Sequence, residues 1–248
     1  QILPGWYHLN LSANSLNSIY FLNSSTGFAV GSNGTILQTS NGGANWYSRT
    51  SGSTNTLYDV VFPSAMIGYI ADNSGYVLKT VNGGLNWTPQ YVAIVDMFHH
   101  LHFRNDNTGY VVGGQNAVVK VYKTTDGGNN WINVSPPSVS GYLYAIYFAN
   151  DSVGIGVGSG GLVIRTTNAG NSWSNQTIAT TPIISVHFPN STTGYISGNA
   201  IWKTTNQGLN WALQENSNEE LHSIRFINND TGYVVGGFGS IIKKTTNG

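Results

Sequence analysis

The 248-residue chain carries ten basic and ten acidic side chains, a formal net charge of zero, and only 8% charged residues where about 25% is usual. Such a chain has no field to gather phosphate backbones or anionic lipid, which argues against nucleic acid as a partner. No apolar run nears the roughly twenty residues of a membrane span, and the absence of Cys excludes a disulfide framework without excluding an extracellular address.

In chain order, one set of elements recurs. LNSIYF from Leu16 alternates polar and apolar residues and reads as a short strand. The Gly of TGFAV opens a second strand, TILQT makes a third, and TSNGGANW is a Gly-rich turn whose Trp46 opens a fourth. The set returns as LYDVVF from Leu57, IGYIA, YVLKT and TVNGGLNW ending at Trp87. FHHLHF from Phe98, TGYVV, VYKTT and TTDGGNNW, ending at Trp131, follow. LYAIYF from Leu143 leads to Trp173, IISVHF from Ile183 to Trp211, and LHSIRF from Leu221 to a terminal TTNG. Units of about forty residues, each with four short strands and Gly/aromatic punctuation, predict an all-β, six-bladed β-propeller of four-stranded blades. The chain is expected to be one domain over 1–248, with blades at about 11–50, 51–91, 92–135, 136–177, 178–215 and 216–248 plus 1–10. Ten to twelve residues separate each turn Trp from the next first strand, and Trp6 stands ten residues before Leu16. Trp6 is therefore expected to complete the sixth blade and close the ring, leaving no free sheet edge.

The repeated turn resembles the Asp-box, or bacterial neuraminidase repeat, of pattern S/T-x-D-x-G-x-x-W, and the whole unit is similar to the secreted bacterial propellers of the photosystem II stability/assembly-factor type. The resemblance covers nearly the whole chain. Only Asp126 keeps the acid; Asn41, Asn82, Asn168, Asn206 and Asn247 replace it elsewhere. Asn accepts backbone N–H bonds in a turn as Asp does, so these positions, with Trp6, Trp46, Trp87, Trp131, Trp173 and Trp211, are expected to be structural. The resemblance implies a non-catalytic propeller, secreted or on a bacterial cell surface or in the periplasm, and often one module of a larger surface protein. It supports no specific photosynthetic role.

In propellers the first strand of each blade lines the channel. The second position of that strand then falls at the channel mouth: Asn17, Tyr58, His99, Tyr144, Ile184 and His222. Tyr58, His99, Tyr144 and His222 form a ring of amphipathic groups that can stack on sugars or anchor a peptide. Neighbouring turns add Asp72, Gln115 and Phe238. The expected partner is a protein segment across the mouth, or alternatively a surface glycan. His100, His102 and His187 raise the question of zinc, but nothing in the sequence converges three or four ligands on one ion. No metal and no cofactor are expected.

A glycoside hydrolase is the remaining alternative. It needs two carboxyl groups flanking one bond, and the candidates, Asp59, Asp72, Asp96, Glu219 and Glu220, are scattered over blades 2, 3 and 6. With four arginines the triad of a sialidase cannot be assembled. A basic residue precedes the turn Thr at Lys79, Lys123, Arg165, Lys203 and Lys244, with Gln38 the exception. On an ordinary strand these read as structural, covering apolar surface with their stems.

Overall fold

A computed structural model describes residues 14–94, 97–237 and 241–248. These residues are all β apart from two three-residue 3-10 turns, Ser32–Gly34 and Ser159–Gly161. Six antiparallel sheets succeed one another along the chain as the blades of a six-bladed propeller. Blade 1 comprises Leu16–Phe21, Gly27–Gly31, Ile36–Thr39 and Tyr47–Arg49; blade 2 comprises Leu57–Val61, Gly68–Asp72, Tyr76–Thr80 and Thr88–Tyr91. Blade 3 comprises Met97–Phe103, Gly109–Gln115, Val118–Thr124 and Ile132–Asn133; blade 4 comprises Leu143–Phe148, Gly154–Gly158, Leu162–Thr166 and Ser174–Thr177. Blade 5 comprises Ile183–His187, Gly194–Gly198, Ala200–Thr204 and Ala212–Asn216, and blade 6 Leu221–Phe226, Gly232–Gly236 and Ile241–Thr245. The segment expected to complete blade 6, with Trp6, lies outside the described residues, so closure by the N-terminal strand does too. The turn Trp residues stand just before the fourth strands and do not open them as the sequence suggested.

The Gly that opens every second strand has a steric cause. A Cβ on Gly68 would lie 2.6 Å from the Phe62 ring, and one on Gly154 would lie 2.5 Å from Phe148. Hydrogen in place of a side chain lets the last aromatic of the first strand lie over the neighbouring strand. The turn Trp then meets that Phe edge to face, as in Phe62–Trp87 at 5.7 Å and 82° and Phe148–Trp173 at 6.3 Å and 78°. In blades 1, 2, 3 and 5 the aromatic residue after the Gly stacks on the Phe of the following blade. Tyr69 lies on Phe103 and Tyr110 on Phe148, each with ring centroids 3.8 Å apart.

The core therefore lies between blades. Five apolar clusters bridge blades 1 and 2, 2 and 3, 3 and 4, 4 and 5, and 5 and 6. This nearest-neighbour burial is how a repeat array accumulates stability.

The repeated turns add a polar clip. Thr124 donates its hydroxyl to Asp126 Oδ1 at 2.9 Å and accepts Gly128 N–H at 2.8 Å, while Asn130 N–H donates to Asp126 Oδ1 at 2.9 Å. Asn82 has the same bonds with Thr80 and Asn86, as does Asn206 with Thr204 and Asn210. Hydrogen bonds from Asn130 are the main reason the exposed Asp126 carboxyl sits low, at about 2. Asp126 thus makes the bonds that Asn makes elsewhere and one more, accepting Asn130 Nδ2 on its Oδ2 at 2.7 Å.

The basic residues of the third strands clip one blade to the next. Lys123 Nζ donates to Ala169 O at 3.0 Å, Arg165 Nε to Gln207 O at 2.8 Å, and Lys203 Nζ to Gly248 O at 3.0 Å. The Tyr110 hydroxyl donates to the same Ala169 carbonyl at 3.0 Å, and the Tyr69 hydroxyl to Gly127 O at 2.8 Å. Each acceptor is a turn carbonyl of the following blade, so these cations serve the framework.

Candidate functional site at the channel mouth

The six mouth positions share a backbone feature that the sequence pattern did not show. In every blade the pairing of first and second strands skips one residue near its start: Leu57 pairs with Asp72 and Asp59 with Ala71, leaving Tyr58 out. The same shift leaves out Asn17, His99, Tyr144, Ile184 and His222. A β-bulge of this kind frees a residue from the ladder and re-aims its side chain.

Three of these side chains meet. His99 lies 5.3 Å from Tyr58 and 5.1 Å from Tyr144, ring centroid to ring centroid, forming an arc across blades 2, 3 and 4. All three are half-buried. Burial, with His100 as a smaller contribution, lowers the His99 pKa to about 4, so the arc is uncharged at neutral pH. Burial raises the Tyr144 pKa, and Glu220 raises it further from across the mouth. His222 is exposed and stands 3.8 Å from Glu220, apart from the arc. Asn17 is spent on the wall, its Nδ2 donating to Leu57 O at 2.8 Å.

The other expected residues fare differently. Asp72 is a buried clip. It accepts Ser53 Oγ at 2.7 Å, Asn55 Nδ2 at 3.1 Å, and both Ser74 N–H at 2.8 Å and Ser74 Oγ at 2.7 Å. Four donors satisfy a carboxylate, so no capacity is left for a ligand. Gln115 ends its strand half-buried, and Phe238 lies outside the described residues.

Below the arc the channel holds histidines in neutral form. Burial pushes His102 down to about 3 and His187 to about 4, and neighbouring positive groups, Arg225 among them, add to both shifts. Tyr147 stands between them, with centroids 4.7 Å from His102 and 5.3 Å from His187. His187 Nδ1 accepts Phe226 N–H at 3.3 Å. Burial also holds His100 below its ordinary pKa, against the pull of Asp59 3.8 Å away. Among the described residues no three His, Asp or Glu groups converge as a metal site would require.

The two candidate carboxylates of blade 2, Asp59 and Asp72, are occupied by structural bonds. Asp59 Oδ1 accepts Ser18 Oγ and its neighbour Val60 N–H, each at 2.9 Å, and Oδ2 accepts Leu101 N–H at 2.9 Å. Both strong acids of blade 2 thus hold strands together.

Blades that pack on one another through aromatic ring contacts, with a bulge leaving one variable side chain apiece out of the ladder, define a repeat propeller. The family model of the photosynthesis system II assembly factor YCF48 matches residues 3–90, 50–135 and 90–214, and the chain belongs to that family. Among solved structures it is similar to YCF48 bound to a D1 peptide, at 16% identity and a TM-score of 0.51, covering 95% of this chain and 92% of that one. YCF48 from Cyanidioschyzon merolae is 15% identical with a TM-score of 0.58, over 94% and 95% of the two chains. The U3-55K structure is 14% identical with a TM-score of 0.76, over 94% of this chain and 77% of that one. At these identities the structural likeness speaks for the fold alone. No curated protein matches the chain. Among the described residues no helix is long and apolar enough to cross a membrane.

Proposed function

We propose that this propeller is a non-catalytic binding module, working outside the cytoplasm, that holds an extended protein segment across the channel mouth on Tyr58, His99 and Tyr144. The observation that carries this reading is the arc itself: three rings from three blades, each released from its ladder by a bulge and spaced 5.1–5.3 Å apart. Rigid aromatic groups with polar tips are the usual anchors of protein interfaces. Membership of an assembly-factor family supports a protein partner, and so does the relative whose structure holds a D1 peptide. That the blade 2 carboxylates are committed to structural bonds supports the absence of catalysis.

The test is a calorimetric titration of the 248-residue chain with the peptide seen in that relative, beside Tyr58→Ala and Tyr144→Ala. Loss of affinity by more than about tenfold in both variants, with melting temperatures unchanged, is expected if the rings are anchors. Binding that survives both truncations would contradict the mouth as the site.

A glycan ligand remains the second reading, favoured by a different feature. Tyr76 and Tyr91 are exposed and meet edge to face at 5.4 Å. Tyr76 lines a depression shared with Ser53, Asn55 and Asp72. A glycan that binds there should be lost in Tyr76→Ala and retained in Tyr144→Ala.

A further inference from the structure

We propose that the mouth selects a protein segment carrying a basic side chain, lysine or arginine, and that Glu220 together with Glu219 supplies the counter-charge that reads it. The inference rests on the mouth as the protein-binding face and adds the chemistry of its occupant. The arc of Tyr58, His99 and Tyr144 provides contact area without charge at neutral pH. Any charge the mouth presents therefore comes from the rest of its rim.

On that rim the unoccupied groups are acids. Asp59 and Asp72 are taken up by structural bonds, but Glu219 and Glu220 are not. These two end the link between blades 5 and 6 and lead straight into the first strand Leu221–Phe226. Among the described residues neither forms an ion pair with a Lys or Arg. Glu220 has only His222, at 3.8 Å, which is longer than a hydrogen bond. Glu219 is half-buried, and its Oε2 is shut from solvent with no hydrogen-bond partner. A carboxylate oxygen withdrawn from water without a donor is unfavourable, and an ammonium or guanidinium group of a bound segment would supply the donor.

The link that carries both acids is held from two sides. Ser217 N–H donates to Asn199 O of blade 5 at 2.9 Å, and Gly237 N–H of blade 6 donates to Glu220 O at 2.7 Å. Glu219 N–H donates to Ser217 Oγ at 3.3 Å. The backbone beneath the carboxylates is thus fixed before a ligand arrives, which favours affinity.

The acids and the arc form one surface. Tyr144, the last ring of the arc, feels the Glu220 charge across the mouth. In the order of blades only half-buried Ile184 of blade 5 intervenes. A chain laid over the three rings therefore brings a side chain between the Tyr144 phenol and the Glu220 carboxylate. A phenol ring offers a cation its negative face, and the carboxylate offers a charge-assisted hydrogen bond. An acidic side chain meets repulsion from the same groups, so the mouth discriminates by charge as well as by fit.

The test selects random peptides displayed on phage against the 248-residue chain. Peptides whose capture is lost on Tyr144→Ala are the mouth ligands, and they should share a Lys or Arg. Synthesised with acetylated N-termini, so that the side chain is the only cation offered, they would be titrated against the parent and a Glu219→Gln, Glu220→Gln double variant. The double variant should bind at least about fivefold more weakly with its melting temperature unchanged. Replacing the peptide's basic residue with Gln should abolish that difference between the two proteins, and parent affinity should fall as salt is raised. Mouth ligands that lack a basic residue, or a loss in the double variant that persists with the Gln peptide, would overturn the proposal and leave the mouth as a binding face. Selected peptides that all survive Tyr144→Ala would overturn both.

Discussion

The turn face and the mouth face of this propeller each carry one position from every blade, and the sequence treats them in opposite ways. At the turns, Asn41, Asn82, Asp126, Asn168, Asn206 and Asn247 each accept a hydroxyl from a Thr two residues earlier. At the mouth, the bulge positions hold Asn17, Tyr58, His99, Tyr144, Ile184 and His222, with no rule of size or polarity. What repeats is bonded to its own blade or the next. What varies is released from the ladder, and variation at a fixed backbone site is what recognition requires.

The comparison breaks first if the repeated parts prove dispensable. Phe148 is fully buried, stacks on Tyr110 at 3.8 Å and takes the edge of Trp173. Phe148→Ala should cost about 3–5 kcal/mol in urea unfolding through lost burial and the cavity left behind. Thr166→Val removes a buried hydroxyl that donates to Asn168 Oδ1 and accepts the N–H groups of Asn168 and Gly170. Its cost should be about 1–3 kcal/mol by the same measurement, because main-chain donors are left without a partner.

Acid should reveal the channel histidines. Their folded pKa values, about 4 for His99 and His187 and about 3 for His102, lie below the ordinary 6.5 of the unfolded chain. The unfolded state therefore binds more protons in that window. Stability should be full above about pH 6.5 and fall as pH drops toward about 3, with each such histidine contributing up to about 1.4 kcal/mol per pH unit. Unfolding free energies measured from about pH 7 to about pH 4 should show a shallower slope in His102→Gln than in the parent. The smallest effect belongs to the one turn that keeps the acid: Asp126→Asn should leave the urea midpoint nearly unchanged, because Asn82 already makes the Thr and backbone bonds and only the exposed bond from Asn130 Nδ2 is lost.

Much of the framework was legible from the sequence because its determinants are local. A Gly opening the second strand, a Phe at the end of the first and Thr-x-Asn or Thr-x-Asp at the turn act within a few residues of one another, so six copies announce the blades and their order. The mouth positions were legible as an alignment of copies, while their cause, the bulge, involves pairing with a strand about fourteen residues away and left no mark in the pattern. The clips from Lys123 and Arg165 were read as structural, but their acceptors lie more than forty residues ahead in the next blade. Asp72 looked like a loop ligand because its polarity was visible and the wrapping by Ser53, Asn55 and Ser74 was not. The assignments of Trp6 and Phe238 fall outside the described residues.

The most direct measurement places one residue from each face in the same titration. Tyr144→Ala and Asn168→Ala would be compared for peptide affinity by calorimetry and for melting temperature. If recognition lives at the bulges and the turns are framework, Tyr144→Ala loses affinity with its melting temperature intact, and Asn168→Ala melts earlier with its affinity intact. Affinity lost at Asn168 and kept at Tyr144 would put recognition on the turn face and contradict the division drawn here.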